Sequence, residues 1–262
     1  MATRSGIITL TTDFGTVDGF VGTVKGVILS LAPKATIADI SHEVPAFDVL
    51  SGAWILAASF RYFPAGTVHV AVVDPQVGSQ QRRIAAVVDS HYFLLPDNGL
   101  LTLVAKRQEI ERACVLNKPQ YWLKDPSSTF HARDIFAPCA AHLLNGATLD
   151  EIGSEIAKES LFMLDLARVK IEGDSMIGTI VYIDHFGNLI TNVDGKALSL
   201  ARRIMVREHE ICTLASSYSE IGQGKLGAIA ASHGNLEIAA GQASAAAILN
   251  AKVGMPVRIE IG

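Results

Sequence analysis

Hydrophobic and polar residues alternate with two different rhythms along the chain, and the change comes near residue 165. In the first part, five short apolar runs have the length and composition of β-strands: 7–11, 36–40, 67–73, 84–88 and 92–95. Four segments have the spacing of helices with one apolar face: 18–31, 48–62, 98–106 and 127–144. Because parallel strands need a crossover between them, this alternation predicts a mostly parallel sheet flanked by helices.

After residue 165 the apolar runs become short and few helices interrupt them. The runs are 169–171, 176–183, 189–193, 203–206, 211–214, 228–232, 236–239 and 257–261. They predict a small all-β barrel or sandwich, and the alanine-rich stretch 243–247 predicts a tight turn or a short helix. We therefore predict an α/β protein with an N-terminal α/β domain at 1–165 and a C-terminal β-barrel domain at 166–262.

Composition and charge exclude several classes of protein. Hydrophobic residues make up 49% of the chain and charged residues 18%, with a net charge of −4 and no basic stripe, so disorder and nucleic-acid binding are not expected. No apolar stretch reaches the ~18 residues of a membrane span, and residues 1–6 lack the order of a signal peptide. The cysteines, Cys114, Cys139 and Cys212, are far apart and odd in number. They predict neither a disulfide framework nor a metal site, and they fit a reducing cytoplasm.

Two aspartates end apolar strand-like runs. Asp13 follows the first run and Asp74 follows the run 67–73. Ligands of open α/β sheets bind at the carboxyl ends of strands, where aspartate commonly binds ribose hydroxyls. A helix N-cap is the alternative for Asp13, although it suits Asp18 better. A structural salt bridge is the alternative for Asp74, with Arg82 or Arg83 as its partner.

A histidine lies near the predicted start of the helix 127–144. Ser127 and Thr129 are natural N-caps, which would place His131 in the first helical turn. The positive end of the helix dipole disfavours a charged imidazole and predicts a neutral histidine. A structural histidine partnered by Asp134, one turn further along, is the alternative interpretation.

One polar segment of the β-rich part combines an acid, an aromatic ring and an amide: Asp184, Phe186 and Asn188. Taken alone, the segment is typical of a tight hairpin turn. The same groups could hold a flat polar ring by stacking and by hydrogen bonds to its edge.

Taken together, these segments resemble one enzyme family almost from end to end. The shared segments are Thr-Thr-Asp13-Phe-Gly, Ile40-Ser-His42-Glu-Val-Pro45, Gly66-Thr-Val-His69-Val-Ala-Val-Val-Asp74-Pro, Pro96-Asp97-Asn98-Gly99-Leu, Thr129-Phe-His131-Ala-Arg-Asp134-Ile-Phe, Asp184-His-Phe-Gly-Asn188 and Gly234-Asn-Leu-Glu237-Ile-Ala. The chain resembles the S-adenosylmethionine hydrolases (SAM hydroxide adenosyltransferases), which are relatives of the bacterial fluorinase and chlorinase.

The resemblance implies hydrolysis of S-adenosyl-L-methionine to adenosine and L-methionine by in-line attack of water on the ribose C5′. It also implies a homotrimer with each active site between the N-terminal domain of one subunit and the C-terminal domain of its neighbour. No cofactor and no metal ion are expected. Two alternatives are an adenosyl halogenase, in which halide replaces water, and a sensor that binds the nucleoside without catalysis. The halogenases of the family lack this aspartate and histidine.

The resemblance also assigns roles to individual residues. Asp74, Arg82 and His131 would hold the nucleophilic water. The substrate-binding residues would be Asp13 on the ribose diol, Phe186 on adenine, Asn188 on the adenine edge, Asp184 and Ser232 on the methionine amine and carboxylate, and Phe47.

The segment after Asp74 departs from the family pattern, which is Asp-Pro-Gly-Val-Gly-Thr-x-Arg-Arg. Gln76 replaces a glycine, and we interpret the loop as one residue longer. After one insertion Arg82 aligns with the catalytic arginine, and Arg83 is the alternative.

Overall fold

A computed structural model describes residues 4–262. Residues 1–3, and with them half of the N-terminal segment 1–6 considered above, lie outside the described residues. The chain divides into two compact units, of which the first ends at Leu164 and the second comprises Asp165–Gly262. The domain boundary predicted from the sequence lies one residue further along.

The first unit is built on one seven-stranded sheet. Its strands are β1 Ile7–Thr12, β2 Thr36–Ser41, β3 Val68–Val72, β4 Arg83–Val88, β5 His91–Pro96, β6 Ile110–Val115 and β7 Ser154–Glu155, in the order β2-β1-β3-β5-β4-β6-β7. Strands β2, β1, β3 and β5 are parallel, whereas β4, β6 and β7 join by antiparallel pairing.

The sheet is therefore mixed, and the prediction of a mostly parallel sheet is wrong for one half of it. The physical reason is the two-residue connection between β4 and β5. Asp89 and Ser90 both have positive φ, 51° and 61°, as in the tight turns that join antiparallel hairpin strands. The apolar runs predicted these strands, but they could not predict the direction in which β4 runs.

Helices cover both faces of this sheet. They are α1 Phe20–Leu31, α2 Val49–Ser59, α3 Thr102–Ala105, α4 Ala137–Leu144 and α5 Leu149–Ile152. Asp48 caps α2 by accepting a hydrogen bond from the backbone N–H of Ser51 (3.0 Å). Helix α1 begins after Gly19 without a side-chain cap, so Asp18 does not have the capping role considered for it.

Two hydrophobic cores lie on opposite sides of the sheet. We call the side covered by α1 and α4 the α4 face and the side covered by α2 and α3 the α2 face. Strand β3 is buried on both, with Val70 and Val72 in the core of the α4 face and Ala71 in that of the α2 face. Each fully buried valine or leucine contributes about 1.5–3 kcal/mol relative to an exposed one. The carboxyl ends of these central strands are therefore held on a rigid layer.

The second unit is a nine-stranded sheet. Its strands are β8 Lys170–Glu172, β9 Ser175–Ile183, β10 Leu189–Asp194, β11 Ala201–Val206, β12 His209–Glu210, β13 Thr213–Ala215, β14 Leu226–Ala230, β15 Asn235–Ala240 and β16 Pro256–Ile261. The order is β12-β11-β16-β9-β10-β15-β14-β13, with β8 beside β9. Within the described residues the two end strands, β12 and β13, do not pair. The second unit is rich in strands as predicted, but closure into a barrel is not observed.

One short helix, α6 Ala245–Leu249, follows β15 in the alanine-rich stretch. The hydroxyl of Ser244 accepts a hydrogen bond from the Ala247 N–H (3.1 Å) and caps it. Across residues 4–262, the helices are too short or too polar to cross a membrane.

Candidate active site

A cavity of about 430 Å³ lies in the first unit, beside the ends of β1 and β3. Its polar lining includes Asp13, Asp74, Thr129 and His131, and its apolar lining includes Phe14, Phe20, Phe47, Val77 and Phe130. Strands β1 and β3 are parallel neighbours, and Thr12 lies opposite Val72. The aspartates that follow them therefore reach the same edge of the sheet. Four residues predicted from the sequence, Asp13, Phe47, Asp74 and His131, line this cavity.

Asp13 fixes an unusual backbone conformation on the cavity wall. Its Oδ2 accepts a hydrogen bond from the Phe47 N–H at 2.9 Å. Phe47 has a φ of 69°, which is strained for a residue with a side chain, and its ring is 71% exposed. The aspartate thus holds an exposed aromatic ring at the rim of the cavity.

Asp74 is half-buried, and its own loop supplies hydrogen bonds to it. The Gln76 N–H and the Gln81 Nε2 both donate to Oδ1, each at 3.2 Å. Burial raises the pKa of Asp74 above its ordinary value, and the negative charge of Asp13 adds to the rise. The two hydrogen bonds and the interaction with His131 oppose it. Asp74 is therefore a stronger base than an exposed carboxylate.

The loop from Asp74 to Gln81 packs closely against the segment before His131. Gly78 has a φ of 85°, and a Cβ at this position would lie 2.6 Å from the Ser128 carbonyl oxygen. Only glycine fits this contact without a shift of the backbone. The contact brings the Asp74 loop next to the segment that positions the histidine.

His131 is 8% exposed and directly precedes a π-helical turn, Ala132–Phe136, that leads into α4. Burial lowers the pKa of His131, and the nearby Arg83 charge lowers it further, while Asp74 and Asp134 oppose this. The imidazole is therefore neutral at pH 7, as predicted, although burial is the largest cause rather than the helix dipole.

The predicted helix 127–144 begins later than expected because Asp134 accepts a hydrogen bond from a backbone group that precedes the helix. Its carboxylate accepts hydrogen bonds from the Ser127 N–H (2.8 Å) and from the Arg133 Nε (2.6 Å). The bond from the Ser127 N–H holds residues 127–130 in an irregular loop, and Ser127 and Thr129 do not cap a helix. Asp134 therefore organises the segment around His131.

Arg82 and Arg83 point to opposite faces of the sheet. On β4, Ala85 packs in the core of the α4 face and Ile84 in that of the α2 face. Because side chains alternate along a strand, Arg83 lies on the α4 face and Arg82 on the α2 face. By the same alternation along β3, Asp74 lies on the α4 face, as Val72 does two residues earlier. The sequence-based placement of Arg82 beside Asp74 is therefore corrected.

The contacts of the two arginines agree with this alternation. Arg82 donates from Nε to Asp97 (2.8 Å) and from Nη1 to Ser160 Oγ (3.1 Å). Arg83 lies 5.9 Å from the centre of the Trp122 ring, and its buried Nε lacks a hydrogen-bond partner among the described residues. Arg83, and not Arg82, contributes positive charge near His131.

In the second unit, the segment from Asp184 to Asn188 forms a tight turn between β9 and β10. Asp184 Oδ1 accepts hydrogen bonds from the N–H groups of Phe186 (2.9 Å) and Asn188 (2.8 Å), and Oδ2 accepts one from Asn188 Nδ2 (3.0 Å). Gly187 has the positive φ, 82°, that the turn requires. The turn leaves the Phe186 ring 74% exposed.

Ser232 is exposed in the turn between β14 and β15. Leu189, at the start of β10, pairs with Ile238, whereas Asp194, at its end, pairs with Asn235. The two turns therefore lie at opposite ends of the β10–β15 pair.

No group of three or more His, Cys, Asp or Glu side chains that could hold a metal ion occurs in residues 4–262. At the cavity, Asp13 accepts a hydrogen bond from the Phe47 N–H, and Asp74 accepts hydrogen bonds from its own loop.

Comparison with known proteins identifies the family. A family model described as the SAM hydroxide adenosyltransferase N-terminal domain matches residues 8–153, and its C-terminal counterpart matches residues 178–258. The chain belongs to the SAM hydroxide adenosyltransferase family.

Relatives of this SAM hydroxide adenosyltransferase family member match nearly its full length. An (R)-S-adenosyl-L-methionine hydrolase of Salinispora tropica is 36% identical over 97% of this chain and 98% of its own. A fluorinase of Nocardia brasiliensis is 29% identical over 99% of this chain and 98% of its own. The crystal structure of an uncharacterised conserved protein from Thermotoga maritima has a TM-score of 0.90 and 34% identity, covering 96% of this chain and 99% of that one.

Sequence reasoning missed two groups of polar residues in this family member. Gln81 donates a hydrogen bond to Asp74. It had no predicted role, because we interpreted the loop after Asp74 as one residue longer than the family pattern. Glu237 is only 2% exposed and accepts hydrogen bonds from the Tyr218 hydroxyl (2.8 Å) and, at 3.3 Å, from His233 Nε2. A signal for Glu237 was available, since an acid inside the apolar run 236–239 needs a partner.

Proposed function

We propose that the protein hydrolyses S-adenosyl-L-methionine to adenosine and L-methionine. The observation that supports this most directly is the pairing of Asp74, a carboxylate of raised pKa, with a neutral His131 around one cavity. The family and the name of the Salinispora tropica relative support the same substrate and reaction.

The reaction needs a positioned nucleophile more than it needs an acid. A sulfonium is a good leaving group, so methionine departs without protonation. A water held in line behind the ribose C5′ gains about 7–11 kcal/mol from near-attack geometry. In our proposal Asp74 and His131 orient this water and accept its proton, and the scheme uses neither a metal ion nor a cofactor.

The apolar lining of the cavity favours the displacement. Phe14, Phe20 and Phe130 pack edge to face or tilted against one another, with ring centres 5.4–6.1 Å apart. In our proposal such a wall limits the access of competing water. Since attack of a hydroxide-like oxygen on a sulfonium cancels charge, a poorly solvated cavity favours the transition state over the separated ions.

The arginine that acts with this pair is, in our proposal, Arg83. It lies on the α4 face with Asp74, and its charge lowers the pKa of His131. A cation there favours the hydroxide character of the water and keeps the imidazole neutral. Arg82 is instead a structural partner of the buried Asp97.

Alanine substitutions separate the two arginines. Arg83→Ala should lower kcat about tenfold or more, since 1.4 kcal/mol of lost electrostatic stabilisation is a factor of ten, and should leave the free energy of unfolding nearly unchanged. Arg82→Ala should lower the free energy of unfolding by about 1–3 kcal/mol, because Asp97 loses a buried partner, and should leave kcat within about threefold. Steady-state kinetics and urea denaturation measure both. If folded Arg82→Ala protein is inactive while Arg83→Ala is active, the original assignment of Arg82 is right.

Substrate binding in this proposal uses residues of both units. Asp13 binds the ribose diol and Phe47 contacts the substrate at the cavity rim, while Phe186 stacks on adenine and Asn188 bonds its edge. Asp184 and Ser232 meet the amine and the carboxylate of methionine. The hydrogen bonds of Asp184 within its turn support a further role, which is to hold Phe186 and Asn188 in place.

We further propose that the protein is a homotrimer in which the first unit of one copy and the second unit of a neighbour complete each site. Exposed apolar side chains support this assembly: Phe47 is 71% and Phe20 47% exposed at the cavity, Val17 is 97% exposed between β1 and α1, and Phe186 is 74% exposed in the second unit. Clustered exposed hydrophobic residues mark interaction sites.

Isotope labelling tests the reaction itself. With S-adenosyl-L-methionine in ¹⁸O-water, the label should enter the 5′-hydroxyl of adenosine and not methionine, because water attacks C5′. Mass spectrometry of the two products measures this. Labelled homoserine with 5′-methylthioadenosine, or labelled methanol with S-adenosylhomocysteine, would place the attack on another carbon of the sulfonium. Formation of 5′-halo-adenosine in preference to adenosine in halide buffer would favour the halogenase alternative, and binding without turnover would favour the sensor.

A further inference from the structure

The side chain that contacts the Asp74 carboxylate within its loop is a neutral amide. Gln81 lies two residues before β4, is half-buried, and donates from Nε2 to Asp74 Oδ1 at 3.2 Å. The Gln76 N–H donates to the same oxygen. Oδ1 therefore accepts both hydrogen bonds. The loop donates no hydrogen bond to Oδ2.

Neither neighbouring arginine takes this position in the structure. Arg82 lies on the α2 face with Asp97 and Ser160. Arg83 lies on the α4 face but next to Trp122, and its influence is on the pKa of His131. The contact between Gln81 and Asp74 is thus distinct from the electrostatic influence of the arginines.

We propose that Gln81 is the positioning residue of Asp74: its carboxamide holds Oδ1, so that Oδ2 faces the cavity and orients the nucleophilic water. This inference rests on the proposed hydrolase function. A hydrogen bond from the side chain, added to that from the Gln76 N–H, fixes the rotation of the carboxylate, which a single bond to one oxygen leaves free. Because the amide is neutral, it positions Asp74 while lowering its basicity less than a cation in contact would.

The charged groups around Asp74 set the sign of the expected pH effect. His131 and the hydrogen bonds of Gln76 and Gln81 lower the pKa of Asp74, whereas burial and Asp13 raise it. Arg83 also lies on this face of the sheet. Loss of the Gln81 hydrogen bond should therefore raise the pKa of Asp74 further. Since Asp74 acts as a carboxylate, the acid limb of the rate profile should then move to higher pH.

Gln81→Ala tests the proposal, with Gln80→Ala as the matched control. Gln80 is the neighbouring residue of the same type, and it is exposed. Gln81→Ala should lower kcat about 10- to 100-fold, leave KM within about twofold, and shift the acid limb of the kcat profile upward. Gln80→Ala should match the wild type in all three. Equal behaviour of the two variants would overturn the proposal.

A near-isosteric variant covers the case in which Gln81→Ala does not fold. Gln81→Glu places a second carboxylate beside Asp74, and two adjacent carboxylates cannot both ionise readily. The acid limb should shift upward by more than in Gln81→Ala. An unchanged limb in folded Gln81→Glu protein would overturn the proposal.

A direct titration of Asp74 tests the role of Gln81 independently of the hydrolysis reaction. Carbon-13 NMR of the side-chain carboxyls follows the pKa of Asp74 without substrate, and its signal is identified by its loss in Asp74→Asn. Wild-type protein that releases no adenosine would refute the hydrolase function. An Asp74 pKa that is the same in Gln81→Ala as in Gln80→Ala would refute the role of Gln81, even in an active enzyme.

Discussion

Replacing Asp74 by asparagine should lower kcat for adenosine release by at least about 10²-fold, the lower range of what a positioned acid or base contributes. The KM for S-adenosyl-L-methionine should change by less than about threefold. Asparagine preserves the shape of the side chain but cannot accept the proton of the water. Steady-state assays of adenosine formation measure both quantities.

Asp89→Asn is the matched control for this substitution. Asp89 is exposed in the turn between β4 and β5 with a φ of 51°, a conformation that asparagine tolerates. Its kcat should equal that of the wild type.

His131→Gln should also lower kcat at least about 10²-fold. The double variant of Asp74 and His131 should be little worse than either single one, because the effects of residues that act as a unit are not additive. If Asp74→Asn retained activity, the proposed mechanism would be refuted.

The wild-type pH profile follows from the two groups in this prediction. Asp74 acts ionised, so its contribution is lost as pH falls through a pKa raised above 3.8. His131 acts neutral, so its contribution is lost as pH falls through a pKa lowered below 6.5. Both losses occur on the acid side, and these two groups therefore predict an acid limb that lies above pH 3.8, with no basic limb of their own.

Mixing two inactive variants should restore activity if each site is shared between copies. Asp74→Asn inactivates the first unit, and Asn188→Ala removes the proposed contact with adenine in the second. When the two proteins are unfolded and refolded together in equal amounts, about one quarter of the sites in randomly mixed rings join two intact halves. Activity should therefore rise from near zero to about a quarter of the wild-type value.

The controls for this experiment are each variant refolded alone and the two variants mixed without unfolding. Neither should gain activity, since chains do not exchange between closed rings unless they dissociate. Size-exclusion chromatography and native mass spectrometry follow the formation of mixed trimers. Mixed trimers that remain inactive would show that each site is built within a single chain.

The local pattern of the sequence determined where most strands begin and end, and with them the positions of two acids. Asp13 and Asp74 each end an apolar run, and the parallel pairing of β1 and β3 brings them to one cavity. These features follow from hydrophobic periodicity and from short-range chemistry. The same short-range chemistry makes Asp48 the cap of α2.

Only the tertiary structure decided which polar groups contact Asp74. Side chains alternate between the two faces of a strand. If the length of the loop before β4 is uncertain by one residue, the faces assigned to Arg82 and Arg83 are exchanged. The sequence around Asp74 does not specify the path of that loop. The close approach of Gly78 to Ser128 specifies that path. Along it, Gln81 and neither arginine is hydrogen-bonded to the Asp74 carboxylate.

The direction of β4 and the start of the helix after His131 also depended on distant or competing contacts. Apolar runs are alike in parallel and antiparallel strands, so the mixed sheet became visible only from the turn at Asp89 and the pairing with β5 and β6. Asp134 binds the Ser127 N–H and prevents the helix from starting at 127. The sequence by itself thus determined the elements and the two acids, because those depend on neighbours along the chain. The tertiary structure decided strand direction, the faces of the arginines and the partner of Asp74, because those depend on contacts between segments far apart in the sequence.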